Sequence, residues 1–171
     1  LGSPVEAATT SFGQGFAITP IQLVRLYGSL ANGGYLVTPH VVRGLTDTAG
    51  RIQQEPERPQ RVRIFSEDTV QAVVTMMEDV VEAGTGQRAK IPGYRIGGKT
   101  GTAQKSLEDG SGYSSSAVVA SFVAIFPLEN PRYLVFVAVD EPVGGSGGQV
   151  AAPVSKLVIE RMISLYQIPP G

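Results

Sequence analysis

Gly97-Gly98-Lys99-Thr100-Gly101-Thr102-Ala103-Gln104 is the stretch on which the reading of this chain turns. Threonine favours an extended backbone, and the glycines leave no side chain to block a close approach. One ammonium and two hydroxyls among three glycines suit holding a carboxylate and polarising a carbonyl. Counted from Gly93 to Thr100, the same residues satisfy the phosphate-loop pattern G-x-x-x-x-G-K-[ST] at every fixed position. Lys99 therefore belongs either to a nucleotide cradle or to an anion grip on a strand.

The context decides against the cradle. A phosphate loop follows a buried strand and opens a helix whose amides face the anion. Here Gln87 to Pro92 is a poor strand, and Thr102 to Ser106 leads into a Gly/Ser-rich loop, Lys105 to Ser116. Leu134 to Asp140 does imitate an apolar strand ending in a Mg²⁺-holding acid. It follows Ala117 to Phe126 across only Pro127 to Arg132, however, too short a connection for a parallel crossover. Ala117 to Phe126 and Tyr133 to Val139 are predicted to form an antiparallel hairpin. The second reading makes Arg95 to Gln104 a strand at a sheet edge beside a cleft. Alternation then puts Lys99, Gly101 and Ala103 on one face and Thr100, Thr102 and Gln104 on the other. A single ligand would have to lie along the edge or exploit a glycine-permitted twist. A free edge N–H would be a ready oxyanion donor. The plain alternative is a glycine-rich strand with an exposed lysine and no function.

Outward from this stretch, Thr19-Pro20-Ile21-Gln22 carries the capping signals of a helix that Asn32-Gly33-Gly34 stops. Tyr35 to Val42 reads as a strand and Asp47 to Pro59 as an exposed excursion. Ser66 starts a helix whose stripe Val70, Val73, Val74, Met77, Val80 and Val81 runs to Gly84. Gly144 to Gly148 reads as a flexible turn before a closing helix, Val150 to Tyr166. The fold class is α+β, an antiparallel sheet flanked by helices, and all 171 residues form one unit. A net charge of −1 advertises no nucleic-acid partner, and the absence of cysteine rules out disulfides, thiolate metal sites and a cysteine nucleophile. No metal site or cofactor is expected. His40 stands alone and reads as structural, Glu78, Asp79 and Glu82 as a solvated helix face, and Met76 and Met77 as ordinary helix residues.

Lys99-Thr100-Gly101-Thr102 resembles the Lys-Thr-Gly motif of the serine penicillin-recognising enzymes. Ser11-Phe12-Gly13-Gln14-Gly15, Thr19 to Leu23, Leu30 to Gly34, Gly98 to Gln104 and Gly147 to Val154 narrow the likeness to class B penicillin-binding proteins, monofunctional transpeptidases of wall synthesis. The resemblance implies acyl transfer from D-Ala-D-Ala stem peptides of peptidoglycan, with β-lactams as mimics. It implies that Lys99 directs positive potential at the substrate carboxylate and aids proton movement. Thr100 and Thr102 would bind that carboxylate around Gly101, the Thr102 N–H would serve the oxyanion hole, and Gln104 would lie further along the groove. Gly13-Gln14-Gly15 is expected to be structural.

The family's Ser-x-x-Lys and Ser-x-Asn motifs do not occur in these 171 residues. The resemblance therefore implies the C-terminal portion of a transpeptidase domain, carrying the last three of five sheet strands and inactive alone for want of a nucleophile. The expected partners are the N-terminal part of the same domain, peptidoglycan stems, β-lactams and cell-wall synthesis proteins. The parent would be anchored in the bacterial cytoplasmic membrane with this domain on the periplasmic side. A β-lactam sensor of the same fold is the alternative within the family.

Overall fold

In a computed structural model of the chain, residues 3–11, 13, 15–54, 60–107 and 112–171 are described. The centre is a three-stranded antiparallel sheet of β3 (Gly97–Ser106), β4 (Tyr113–Phe126) and β5 (Tyr133–Asp140), in that spatial order. Lys99 pairs with Val123 and Val123 with Phe136, so the Lys99 face continues across all three strands. From Phe122 to Phe126 every residue of β4 is apolar and buried, as a central strand covered on both faces requires.

Two clusters of buried side chains fill these faces. Phe122, Ala124, Phe126 and Val135 meet Ala151, Ala152 and Ile159 of α4 (Gly147–Tyr166) on one side. On the other, Val123 and Ile125 meet Leu30 of α2 (Pro20–Ala31) and Met77 of α3 (Glu67–Glu82). α3 sends Met77 into one cluster and Val81 into the other, so it lies along the sheet's border at the start of β3. Gly97 and Gly98 make that approach possible: a Cβ on Gly98 would strike Val81 at 2.9 Å and overlap the Phe122 ring.

The helices begin where local chemistry dictates. Thr19 and Gln22 form a reciprocal capping box on α2, and Ser66 accepts the Thr69 N–H on α3. Pro153 lies inside α4 and has no N–H to give the Gln149 carbonyl. The Arg88 guanidinium donates to that oxygen instead, at 3.2 Å. Residues 4–11 form a short helix, α1 (Pro4–Ser11).

Three expectations of backbone structure need correction. Tyr35 to Val42 is not a strand: Tyr35 makes a single bridge with Arg63, and Leu36 donates to the Val62 carbonyl at 2.8 Å. Pro39 cannot donate to a ladder, and Val41 beyond it is fully exposed. Lys105 to Ser116 is not all loop, because β3 runs to Ser106 and β4 starts at Tyr113. Nor is Gly144 to Gly148 simply a turn, since Ser146 caps α4 and Gly147 and Gly148 form its first turn. The excursion from Asp47 folds into a hairpin of β1 (Leu45–Thr46) and β2 (Ile52–Gln54). The Asp47 carboxylate accepts the backbone N–H groups of Ala49 and Arg51 in its turn. Residues 55–59 of that excursion lie outside the described residues.

Glu78 and Glu82 are not simply a solvated face. Arg95 reaches from the approach to β3 to grip Glu78 through Nε at 2.6 Å and Nη2 at 2.7 Å, while Lys90 pairs with Glu82. The hydrogen bond from Arg95 holds the Glu78 carboxyl below its ordinary value of 4.5. A depressed carboxyl pKa contributes stability in full above 4.5, and that contribution drains away as pH falls through the lower folded value. Glu78→Gln is therefore expected to lower the urea midpoint at neutral pH. Its difference from wild type should shrink on acidification below 4.5. A difference independent of pH would show that the ion pair is not the cause.

Candidate active site

β3 is a border strand, and its middle carries Lys99 to Thr102 along the open rim of the sheet. Beside it lies a cavity of about 720 Å³ between the Lys99 face of the sheet and the wall formed by α1, α2 and their connection. Phe16, Ile18, Leu23, Leu26 and Tyr27 line the far wall, and Ser121, Val123 and Phe136 the floor. Lys99 is the one charged residue in the described lining, which contains no carboxylate. Its Nζ donates to the Thr100 carbonyl at 2.8 Å, and among the described residues it forms no ion pair. The neighbouring cation on this strand is already committed: Lys105 bridges Asp140 at 3.1 Å and Glu141 at 2.7 Å. Those hydrogen bonds, Glu141's foremost, raise the Lys105 pKa. Burial raises the Tyr27 phenol above 10.0, so it faces the cavity neutral.

Thr100 and Thr102 point to the opposite face from Lys99, as alternation requires, yet all three border the cavity because the strand is an edge. Their hydroxyls are held from behind. The Gly147 N–H, at the N-terminus of α4, donates to Thr102 Oγ1 at 3.1 Å. Thr100 Oγ1 lies 2.9 Å from the hydroxyl of Thr85, in the turn after α3. A hydroxyl has one proton to give, and the Thr102 oxygen accepts here, so its proton is left to face outward. Hydrogen bonding from a helix N-terminus polarises that hydroxyl and strengthens its donation to an anion.

This contact depends on close approach. A Cβ at Gly147 would overlap the backbone carbonyls of Gly101 and Ser121, and one at Gly148 the carbonyl of Thr85. Backbone atoms cannot swing aside as a side-chain tip can. Gln104 is not in the main cavity: its amide donates to the Ser114 carbonyl at 3.2 Å. It borders a smaller hollow of about 60 Å³ with Gly13, Gly15, Phe16, Ala103 and Tyr113. Phe12 and Gln14 lie outside the described residues. His40 does not line this cavity, and its Nδ1 lies 3.3 Å from the Thr38 carbonyl. No cluster of three metal-ligating side chains occurs among the described residues.

The phosphate-loop reading fails on this geometry. Lys99 and Thr100 sit inside an antiparallel edge strand, and no helix starts at Thr100. Comparison with known proteins agrees: residues 2–160 match the family model described as the penicillin binding protein transpeptidase domain. The chain belongs to this family.

The likeness to class B penicillin-binding proteins is borne out by individual relatives. The chain is 42% identical to a peptidoglycan D,D-transpeptidase FtsI homolog of Mesostigma viride, over 98% of this chain and 30% of that protein. It is 42% identical to stage V sporulation protein D of Bacillus subtilis, over 88% of this chain and 24% of that protein. Among solved structures, penicillin-binding protein 3 of Mycobacterium tuberculosis superposes with a TM-score of 0.85 at 32% identity, covering 96% of this chain and 39% of that one. The same protein has been solved with aztreonam bound. The chain thus spans about a third of the length of these relatives.

Sequence reasoning missed Thr85, the Gly147 N–H and Ser121. Thr85 stands between Gly84 and Gly86, which marks a turn but not its destination. Gly147→Ala is expected to cost about 2 kcal/mol, an overpacking penalty against immovable backbone. It should also shift the Thr102 amide resonance, read by thermal unfolding and ¹⁵N NMR. An unchanged melting temperature and Thr102 signal would mean that α4 does not dock as described.

Proposed function

We propose that this chain supplies the substrate-carboxylate and oxyanion side of a peptidoglycan D,D-transpeptidase site. The observation that carries this reading is the cavity's donor set. A lone cation and two threonine hydroxyls lie along an edge strand, in a largely apolar described lining without a carboxylate. Such a surface favours a ligand with one anionic end and an uncharged, partly apolar body. A peptide ending in D-Ala-D-Ala has that form, and so does a penicillin.

In this reading Lys99 provides the positive potential, Thr100 and Thr102 donate to the terminal carboxylate around Gly101, and the Thr102 N–H receives the developing oxyanion. Losing one oxyanion donor costs on the order of 10²–10³ in rate. Gln104 contacts the substrate further along the strand. The reaction needs a serine that this chain does not place in a Ser-x-x-Lys motif. Joined to such a segment, the serine Oγ attacks the penultimate D-Ala carbonyl. The C–N bond then breaks, and D-Ala leaves as the amine after taking a proton. An amine of a second stem attacks the acyl ester, the C–O bond breaks, and the serine regains its proton.

The exposed apolar residues Phe16, Ile18 and Leu26 on the far wall fit packing by that nucleophile-bearing segment. The partners that follow are this segment, stem peptides, β-lactams and wall-synthesis proteins. The place of action is the periplasmic side of the bacterial membrane. Among the described residues no helix is long and apolar enough to cross a membrane.

Fluorescent penicillin tests the reading. The 171-residue chain alone should show no covalent label, and a chain extended N-terminally through Ser-x-x-Lys should label in a Lys99-dependent way. Equal labelling of the two, or full labelling after Lys99→Ala, would refute it.

A further inference from the structure

We infer that Thr85 is a positioning residue that fixes the direction in which the Thr100 hydroxyl donates; this rests on the carboxylate reading above. Thr102 and Thr100 face the same problem, because a hydroxyl whose proton is used internally cannot donate to a ligand. The Gly147 N–H solves it for Thr102 by filling an acceptor site on Oγ1. Among the described residues no backbone N–H donates to Thr100 Oγ1. That oxygen meets the Thr85 hydroxyl at 2.9 Å instead.

Either oxygen can be the donor in this pair. An anion beside Thr100 removes that freedom. The low-energy arrangement has Thr85 donating to Thr100 and Thr100 donating to the carboxylate, a hydrogen-bonded chain in which each link strengthens the next. The reverse orientation would turn the Thr100 lone pairs on the anion and repel it.

Thr85 is fixed well enough to do this. The turn that carries it closes through the Gly86 N–H to the Val80 carbonyl at 2.8 Å. Its own carbonyl is in contact with Gly148 of the α4 first turn, where a Cβ would not fit. The Gly148 site also lies against the Thr100 methyl, 3.4 Å from where a Cβ would stand. One helix end therefore sets both hydroxyls, Thr102 directly through Gly147 and Thr100 by way of the Thr85 turn.

The test uses the transpeptidase in which this chain follows its Ser-x-x-Lys segment, with benzylpenicillin and its methyl ester as probes. Acylation rate is measured by competition against fluorescent penicillin. Wild type should favour the free acid. Thr85→Val, which keeps shape and removes the hydroxyl, should slow acylation by the acid about tenfold, as for loss of a hydrogen bond serving a charged group. Acylation by the ester should change less than about twofold, and Thr85→Ser should restore the acid rate. Thr85→Ala is measured alongside, so that a packing defect peculiar to valine is recognised. Equal losses for acid and ester, or no loss for either, would overturn the role of Thr85 and leave the functional reading intact. A wild type with no preference for the acid would overturn the functional reading and this inference with it.

Discussion

The seating of the first turn of α4 on the border strand is the constraint on which the rest of the structure depends. It requires two consecutive residues without side chains, because Gly147 lies against the carbonyls of Gly101 and Ser121 and Gly148 against that of Thr85. Close contact brings a helix N-terminus to within a hydrogen bond of Thr102. The same docking presses Ala151 and Ala152 onto Phe122 and Ala124, so the core on that face and the polar rim form together. Small residues at both ends of the contact serve one purpose. They bring backbone to backbone where a bulkier pair would open a gap.

The opposite face is built for a different result. Leu30 and Met77 seal the sheet near Val123 and Ile125, but the wall from Phe16 to Tyr27 stands away from β3 and leaves the cavity. Lys99 points into that space, whose described lining holds no carboxylate to neutralise it. Lys99 is itself exposed, so its charge is open to an incoming anion. The two faces of one strand thus contribute separately. Charge comes from the cavity side and directed hydroxyls from the helix side, and they converge only because β3 has no neighbour on its rim.

Much of this was legible in residues. The six-residue link Pro127 to Arg132 fixed the antiparallel sense of β4 and β5, and with the poor strand before Gly93 and the loop beyond Thr102 it told the edge strand from a phosphate loop. Thr19 with Gln22, and Ser66, announced two helix starts because capping is local chemistry. What escaped depended on tertiary contact. Gly147 and Gly148 look like turn residues, and become helical because Ser146 and Gln149 cap them where a bare backbone is needed. The serines at 114–116 look like loop residues, yet β4 runs through them, with Ser114 Oγ accepting the N–H groups of Ser116 and Ala117 at a register irregularity. Tyr35 to Val42 has strand composition, but Pro39 removes a donor and one bridge to Arg63 is all that forms. Thr85 is fifteen residues from Thr100, and no local pattern links them.

The most direct test of the central claim is an NMR titration of the ¹⁵N-labelled chain with an acetylated peptide ending in D-Ala-D-Ala. Amide shifts should concentrate at Lys99 to Thr102 and Gly147, weaken when the peptide carboxylate is amidated, and spare His40. Shifts confined to Gly93 to Gly98, or a β3 unmoved by saturating peptide while Mg·ATP perturbs it, would contradict the account.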